Sequence, residues 1–296
     1  MDWPDQLITI YLYVCKHYRK KLWIYCQRFS NYADLSCTDE EIITLYLFGI
    51  IDERTKIKQI YNDANRHLRA WFPNLPSYTA YVQRLNKVAD VFAPLLEIIL
   101  AEQEVEDNGR VWLTDSFPVV LAKQGHRFQA KVAPELANAG YCASKKLFYY
   151  GVRVHVVARR QAGTLPPPEY VGLTGASDHD SKVFEQIRPY LHHHELYADK
   201  AYQLPDAKAV ENKQALMVRT PVKKPKGQPY LEAADQWLST AVSPVRQPIE
   251  SFFAWFESQL TIEWASRVRS YQGLLVQVFG RLAAAMFFGY HLRVCS

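Results

Sequence analysis

The chain has 296 residues, 49% of them hydrophobic and 22% charged, and a formal net charge of +5. This length suits one large domain or two ordinary ones, and the composition argues against long disordered or fibrous segments. Five cysteines without a CxxC pair argue against a zinc site or a disulfide framework and favour reduced thiols in a cytoplasmic protein.

Residues 1–105 are predicted to form an all-α N-terminal domain. Thr38 followed by Glu41 is a capping box that opens one helix, and Ser77 is a natural N-cap for another. The second helix carries a polar face with Gln83, Arg84 and Lys87, which would suit contact with DNA as in a helix-turn-helix. A plain helical bundle with a polar outer surface would show the same pattern.

Residues 106–296 have a mixed pattern, following a polar segment at 102–110 that looks like a linker. Short β-rich segments and helical stretches follow one another along this part of the chain. The predicted strands are 111–116, 149–157, 170–173, 195–198 and 216–219, and the predicted helices are 181–190, 205–212 and 244–260. This order predicts an α/β fold with a mixed sheet flanked by helices.

The most apolar stretch, 273–292, is interrupted by Gln277, Arg281 and His291. We therefore expect a buried helix and no membrane span. The acidic start of the chain also lacks the basic and then apolar layout of a signal peptide.

Positive charge is concentrated in two blocks. Residues 116–168 contain eight Lys or Arg against one acid, and residues 213–230 contain five with no acid. Such blocks suit a phosphate backbone, so they favour nucleic acid as a partner. An ordinary solvated surface remains the alternative for either block alone.

Three carboxylates stand out because of their settings. Asp115 and Asp199 each follow a predicted strand, and Glu250 shares a helix face with Arg246, four residues earlier. Three acids that converge in space make an oxygen-rich site for hard divalent cations, and two such ions can promote in-line attack on a phosphodiester. Each acid alone could equally be an ordinary surface residue.

The local surroundings predict how each acid is held. Asp115 is expected to end its strand ahead of a turn at Pro118, and Lys200 beside Asp199 could meet a phosphate. Pro244 and Pro248 suit the first turn of the helix that carries Glu250.

Four segments together carry a family resemblance. Residues 112–119 resemble the first-aspartate motif of bacterial insertion-sequence DDE transposases, and residues 196–202 resemble the second-aspartate motif. Residues 149–155 and 175–181 resemble the strand and the strand-to-helix turn that lie between the two motifs. Arg246 to Glu250, with Arg267 and Arg269, resemble the last helical region. The resemblance covers roughly residues 110–290 in matching order.

The resemblance implies an RNase H-like catalytic domain over residues 106–296. Asp115, Asp199 and Glu250 would be the catalytic residues and the ligands of two Mg²⁺ ions, for which Mn²⁺ is expected to substitute. The substrate would be double-stranded DNA, both terminal inverted repeats and target, with the N-terminal domain helping to bind the ends. We expect a homodimer or a larger assembly on DNA, no membrane association, and a cytoplasmic, nucleoid-associated location in a bacterium.

The expected DNA contacts are basic residues near these motifs, namely Lys145, Lys146, Lys200, Arg246, Arg267 and Arg269. One departure from the family pattern concerns Glu257, where many relatives have a Lys. The phosphate contact of that Lys is then absent from this chain, or Arg267 or Arg269 makes it instead. Trp255 or Trp264 could stack on an unpaired base, and the sequence does not choose between them.

Asp178 and Asp180 belong to the strand-to-helix turn. We expect Asp180 to cap the following helix and not to compete as a metal ligand. Two other functions stay open at this point. One is a nuclease of the same fold that cuts without strand transfer, and the other is a DNA-binding protein whose catalysis has lapsed.

Overall fold

The structure is a computed structural model that describes residues 2–27, 36–103, 111–161, 163–191, 194–203, 207–224, 227–228 and 230–292. Most of the predicted linker, residues 104–110, lies outside this part of the chain. Within it the α-helices are α1 (Trp3–Lys20), α2 (Asp39–Ile51), α3 (Ile57–His67), α4 (Tyr78–Lys87), α5 (Phe92–Ala101), α6 (Asp180–Ile187), α7 (Ala207–Gln214), α8 (Ala233–Leu260), α9 (Tyr271–Leu275) and α10 (Arg281–Phe287). The strands are β1 (Val111–Lys123), β2 (Asn138–Cys142), β3 (Leu147–Arg159), β4 (Pro168–Gly175), β5 (Glu195–Tyr197) and β6 (Met217–Arg219).

The chain divides into two compact units. Unit 1 comprises residues 1–103 and 258–296, and unit 2 comprises residues 104–257. The predicted combination of a helical N-terminal region with a mixed α/β part is confirmed. Helix α10 packs against α2 and α5 of unit 1. Apolar surface on the last helices is buried there, and a sequence pattern does not show which partner buries it.

Helix α2 forms the centre of unit 1. Residues Ile42 to Ile50 are all buried. The predicted capping box is present, since the Thr38 amide donates to the Glu41 carboxylate at 2.6 Å and the Glu41 amide donates to Thr38 Oγ1 at 3.3 Å. These bonds satisfy amide groups that the first helical turn leaves without partners. Ser77 caps α4 as predicted, and its Oγ accepts from the Ala80 amide.

Arg84 on α4 is committed to an internal ion pair. Its guanidinium donates two hydrogen bonds to the carboxylate of Asp39, which also accepts from the Tyr18 hydroxyl at 3.0 Å. Asp39 is only 3% exposed. The prediction that Arg84 reaches DNA is therefore wrong, since its acidic partner lies 45 residues away, beyond the reach of helical periodicity.

The last helical segment, Tyr271–Leu292, is a core element of unit 1. It consists of α9, a π-helical turn at Val276–Gly280, α10 and a second π-helical turn at Phe288–Leu292. By length and composition it could cross a membrane, but 67% of its most apolar window is buried inside the protein. The burial agrees with the predicted buried helix.

Gly280 allows α2 to approach the π-helical turn closely. A Cβ atom at this position would lie 2.7 Å from Cε1 of Tyr46, a ring that is 1% exposed. The Tyr46 hydroxyl donates to the Val276 carbonyl at 2.9 Å, so the ring is also hydrogen-bonded to this turn. The close contact is therefore part of the packing between α2 and the last helical segment.

Gly280→Ala is expected to lower the free energy of unfolding by about 1–3 kcal/mol, because the added methyl overpacks the core around Tyr46. Urea unfolding followed by circular dichroism measures this loss. Gly289→Ala is the matched control, since a Cβ there meets nothing within 4 Å. Equal effects of the two substitutions would contradict the packing argument.

Unit 2 is built on a mixed sheet. The strand order is β2–β3–β1–β5–β6, and β4 also pairs with β3. β1 pairs antiparallel with β3, whereas β1 with β5 and β5 with β6 are parallel. β2 was not predicted from the sequence, where its residues include Gly140 and alternate little in polarity.

β1 continues past the predicted strand end. It runs through Asp115 and Pro118 to Lys123, so Asp115 lies inside the strand and the expected turn at Pro118 is wrong. β5 pairs only with residues 111–113 of β1. Beyond them, that edge of β1 pairs with no strand of the described residues, and an edge tolerates a proline that cannot donate a ladder hydrogen bond.

α8 begins earlier than predicted. It starts at Ala233, so Pro244 and Pro248 lie inside the helix and not in its first turn. Each interior proline removes one backbone hydrogen bond, a local penalty that tertiary packing can offset. The apolar side of the helix is buried at Ile249, Phe252 and Phe256, which are at most 1% exposed. Glu250 therefore lies well inside a long helix that is anchored on its apolar face.

Candidate active site

Asp115 is the least exposed of the three predicted acids. Its side chain is 22% exposed, and it lies on β1 opposite Val156 of β3. The Ser116 amide donates to Asp115 Oδ1 at 2.8 Å, and Arg246 Nη2 donates to Asp115 Oδ2 at 3.0 Å. Both carboxylate oxygens are thus oriented by fixed donors.

The other two acids meet the same guanidinium. Arg246 Nη1 lies 3.9 Å from Asp199 Oδ1 and 3.7 Å from Glu250 Oε1. Asp199 lies two residues beyond β5 and opens a short 3₁₀ turn, whereas Glu250 is one helical turn after Arg246. Their side chains are 51% and 60% exposed, so they form the open side of the cluster.

Arg246 joins the three predicted acids into one cluster. It is only 7% exposed and contacts residues that are distant in sequence. One guanidinium offsets only one of the three negative charges that these ionised carboxylates would carry. Sequence reasoning assigned Arg246 to DNA phosphate, whereas here its guanidinium is engaged by the acids.

Burial raises the pKa of Asp115 to about 6. The Arg246 guanidinium and the Ser116 amide lower it, while the charges of Asp199 and Asp180 raise it again. Removing a carboxylate from water disfavours its ionised form, and here that effect exceeds the attraction of Arg246. Asp115 therefore takes up a proton at a higher pH than an exposed aspartate does.

A second polar cluster lies beside Asp115 and was missed from the sequence. Asp180 Oδ1 accepts from Ser116 Oγ and from Arg153 Nη1, both at 2.9 Å. Desolvation lowers the pKa of the adjacent His155 to about 4, so its ring is neutral at pH 7. Ser116 follows Asp115 in the chain, so Asp180 lies near Asp115, and its charge raises the pKa of Asp115.

The predicted cap at Asp180 is wrong. The N-cap of α6 is His179, and it makes no side-chain cap hydrogen bond. Asp178 Oδ2 instead accepts from the Gly175 amide at 2.9 Å and closes the turn. One sequence feature points to this role of Asp180. Ser116, beside the first aspartate, carries a hydroxyl that can donate to the Asp180 carboxylate.

The predicted DNA contacts lie in three places. Lys145 and Lys146 are exposed in the turn between β2 and β3, and Lys200 is exposed beside Asp199. Arg267 and Arg269 belong to unit 1, where both are exposed. The structure therefore brings Arg246 together with the acids and leaves Lys145, Lys146 and Lys200 as surface residues of unit 2.

The donor set of the cluster suits a hard divalent cation. All its acidic donors are carboxylate oxygens, and Asp199 and Glu250 are exposed enough to turn towards an ion. Within the described ranges no three acidic, His or Cys side chains already form a metal cage. The acids are arranged around Arg246, so metal binding requires this guanidinium to give up part of its contacts.

The order of these residues along the chain agrees with a known family. The sequence model of the transposase DDE domain matches residues 108–287, more than half of the chain. The chain belongs to the transposase DDE domain family. Comparison with curated proteins and with solved structures gave no significant match.

The acidic cluster lies within the part of the chain that matches the family. The matched segment contains all of Asp115, Asp199, Arg246 and Glu250. Transposases of this family are enzymes that act on DNA, which agrees with the basic blocks of the sequence. The matched segment also crosses the boundary between the units at residue 257.

Proposed function

We propose that the protein is a DNA transposase of an insertion sequence that cleaves DNA at the element's ends and joins them to target DNA. The observation that carries the proposal is the meeting of Asp115, Asp199 and Glu250 at one buried guanidinium within a transposase DDE domain.

The three carboxylates are the proposed catalytic residues and would hold two Mg²⁺ ions, with Mn²⁺ as a substitute. Bound ions of this kind activate the attacking oxygen and stabilise the leaving oxygen of a phosphodiester. Asp115 supplies the rigid, oriented carboxylate, because Ser116 and Arg246 hold its two oxygens. Asp199 and Glu250 supply the exposed carboxylates that face the substrate side.

The strand order of unit 2 supports an RNase H-like sheet. A central parallel group, β1, β5 and β6, continues into the antiparallel pair β3 and β4. β1 and β5 are neighbours, which explains how Asp115 and Asp199 approach each other.

The proposed DNA contacts are the exposed residues Lys145, Lys146, Lys200, Arg267 and Arg269, with the helical residues 1–105 helping to bind the ends. Each phosphate contact releases counterions, so affinity should fall steeply with salt. We propose that the active form is a homodimer or a larger assembly on DNA, in the bacterial cytoplasm and associated with the nucleoid.

A strand-transfer assay tests the proposal. A labelled duplex that ends in the element's terminal repeat, a circular target and Mg²⁺ are expected to give labelled DNA joined to the circle. The reaction should also proceed with Mn²⁺ and stop with a chelator. A Ca²⁺ reaction, in which binding continues without chemistry, is the control for DNA binding.

The outcomes separate the alternatives. Cleaved ends without joined products would favour a nuclease of the same fold. DNA binding without any cleavage in Mg²⁺ or Mn²⁺ would favour a DNA-binding protein whose catalysis has lapsed. Either result would contradict the proposed transposase.

A further inference from the structure

A positively charged cavity lies within unit 1. Its volume is about 420 Å³, and its walls come from the segment 55–58, from α4 and from residues 261–281. Every lining residue belongs to the described part of the chain, and none of them is Asp or Glu. The lining includes four exposed cations, Lys56, Lys58, Arg267 and Arg269, whereas Arg281 is buried and donates to the Leu260 and Thr55 carbonyls. A cavity of this charge favours an anion.

The two lysines are available to a ligand. Lys56 and Lys58 are exposed, and their side chains make no ion pair or hydrogen bond with another residue that the structure describes. Arg269 is more firmly held, because its Nη1 donates to the Ser266 carbonyl at 2.6 Å and to the Val268 carbonyl at 2.9 Å. The cavity therefore combines adaptable and oriented positive groups.

Aromatic rings line the same cavity. Trp264 is 41% exposed and Tyr78 is 39% exposed, so both present ring surface to solvent. Tyr46 is buried and also lines the cavity, with its hydroxyl bound to the Val276 carbonyl. Flat aromatic surfaces beside cations suit a ligand that has both a planar ring and a negative charge.

We propose that this cavity binds one unpaired nucleotide of a DNA strand. The base would stack on Trp264 and Tyr78, and its phosphates would contact Lys56, Lys58 and Arg267. The volume lies in the range of small-ligand sites, about 300–1,000 Å³. The absence of acids among the lining residues argues against a cationic ligand, and the charge argues against an apolar one.

The choice of a DNA strand as the source of the nucleotide rests on the proposed function. A free mononucleotide has the same chemistry, so the experiment must distinguish the two sources. The binding site itself lies in unit 1 and involves none of the three proposed catalytic acids. Its occupancy can therefore be measured without metal and without catalysis.

The test is the binding of a short single-stranded oligonucleotide that contains 2-aminopurine, in EDTA, at several salt concentrations. Stacking on Trp264 quenches the probe in the wild-type protein. Trp264→Ala is expected to weaken binding about tenfold and to abolish the quenching, whereas Trp264→Phe retains most of the affinity. Trp23→Ala is the matched control, since Trp23 is 47% exposed in unit 1 and lies outside the cavity.

A charge-removing variant tests the phosphate contacts independently. Lys56→Gln with Lys58→Gln is expected to weaken binding about tenfold and to reduce the salt slope by about 0.7 for each removed charge. Lys20→Gln with Lys21→Gln removes two exposed lysines elsewhere in unit 1 and should leave binding and slope unchanged. Circular dichroism of each variant verifies that the fold is retained.

Wild-type affinity in both the Trp264→Ala and the double lysine variant would overturn the proposal. Free mononucleotide that binds as tightly as the oligonucleotide would also overturn it, because the cavity would then be a small-molecule site. Normal binding together with an inactive strand-transfer assay would support the cavity and refute the transposase proposal. A failure of the cavity proposal can therefore be distinguished from a failure of the transposase proposal.

Discussion

Asp115→Asn is expected to lower DNA strand cleavage by about a thousandfold, which corresponds to about 4 kcal/mol of transition-state stabilisation. The amide keeps the size of the side chain and can still accept from the Ser116 amide, which donates to Asp115 Oδ1 at 2.8 Å. It loses the negative charge that a divalent ion requires and the ion pair with Arg246. DNA affinity should remain, because no phosphate contact is removed.

The measurement is single-turnover cleavage of a labelled duplex in Mg²⁺, together with a gel-shift titration in Ca²⁺. Glu185→Gln is the control, since it neutralises an exposed acid of α6 in the same unit. Cleavage by Asp115→Asn at the rate of the control would exclude Asp115 from the chemistry. A loss of binding that parallels the loss of cleavage would indicate a structural role instead.

Arg246→Gln is expected to lower the free energy of unfolding without metal by about 3 kcal/mol, because the buried Asp115 loses its cationic partner. This is the lower end of the range for breaking a buried pair, since Asp199 and Glu250 are more than half exposed and screened by water. Mg²⁺ stabilises a protein by binding to its folded state. It should stabilise the variant more than the wild type, because in the variant no guanidinium competes with the ion for the carboxylates.

Arg246→Gln should also change the pH dependence of DNA cleavage. Burial places the pKa of Asp115 at about 6, and Arg246 lowers it, so removing Arg246 raises it further. A metal ligand must be deprotonated, so the acid limb of cleavage should lie near pH 6 in the wild type and at higher pH in the variant.

The raised pKa of Asp115 also makes the stability of the protein depend on pH. A folded-state pKa above the unfolded value of about 3.9 means that stability falls as pH rises from that value through the folded-state pKa. The decline should extend to higher pH in Arg246→Gln. Thermal unfolding at a series of pH values, with and without Mg²⁺, measures both effects.

Arg160→Gln is the matched control for these measurements, since Arg160 is an exposed arginine of unit 2 outside the acidic cluster. Equal stabilisation of wild type and Arg246→Gln by Mg²⁺, with an unmoved acid limb, would contradict the role given to Arg246.

Local signals in the sequence were sufficient for several features. The capping box at Thr38 and Glu41 and the cap at Ser77 depend on neighbouring residues alone, and both are observed. Five of the six strands in the described ranges were located by their β-rich composition, although β1 extends seven residues beyond its predicted end at Ser116. The spacing of Arg246 and Glu250 also gave their shared helix face correctly, because the helical period is local.

Other features depend on partners that are distant in the chain. The continuation of β1 through Pro118 is possible because β3 pairs along it, and the internal prolines of α8 depend on the packing of its apolar face. The sequence left Arg84 open to DNA contact or to a plain polar surface, whereas its partner in the fold is Asp39, 45 residues away. Asp180 joins Ser116 and Arg153 only because the sheet brings β1 and β3 together.

The sequence by itself determined the α/β class, the helical N-terminal region and the order of the acids that resembles a DDE transposase. Only the tertiary structure decided that Asp115, Asp199 and Glu250 share the guanidinium of Arg246, and that α10 packs with the N-terminal helices. The reason is physical. Helix caps and periodicity depend on residues a few positions apart, whereas ion pairs and core packing depend on which distant surfaces are buried together.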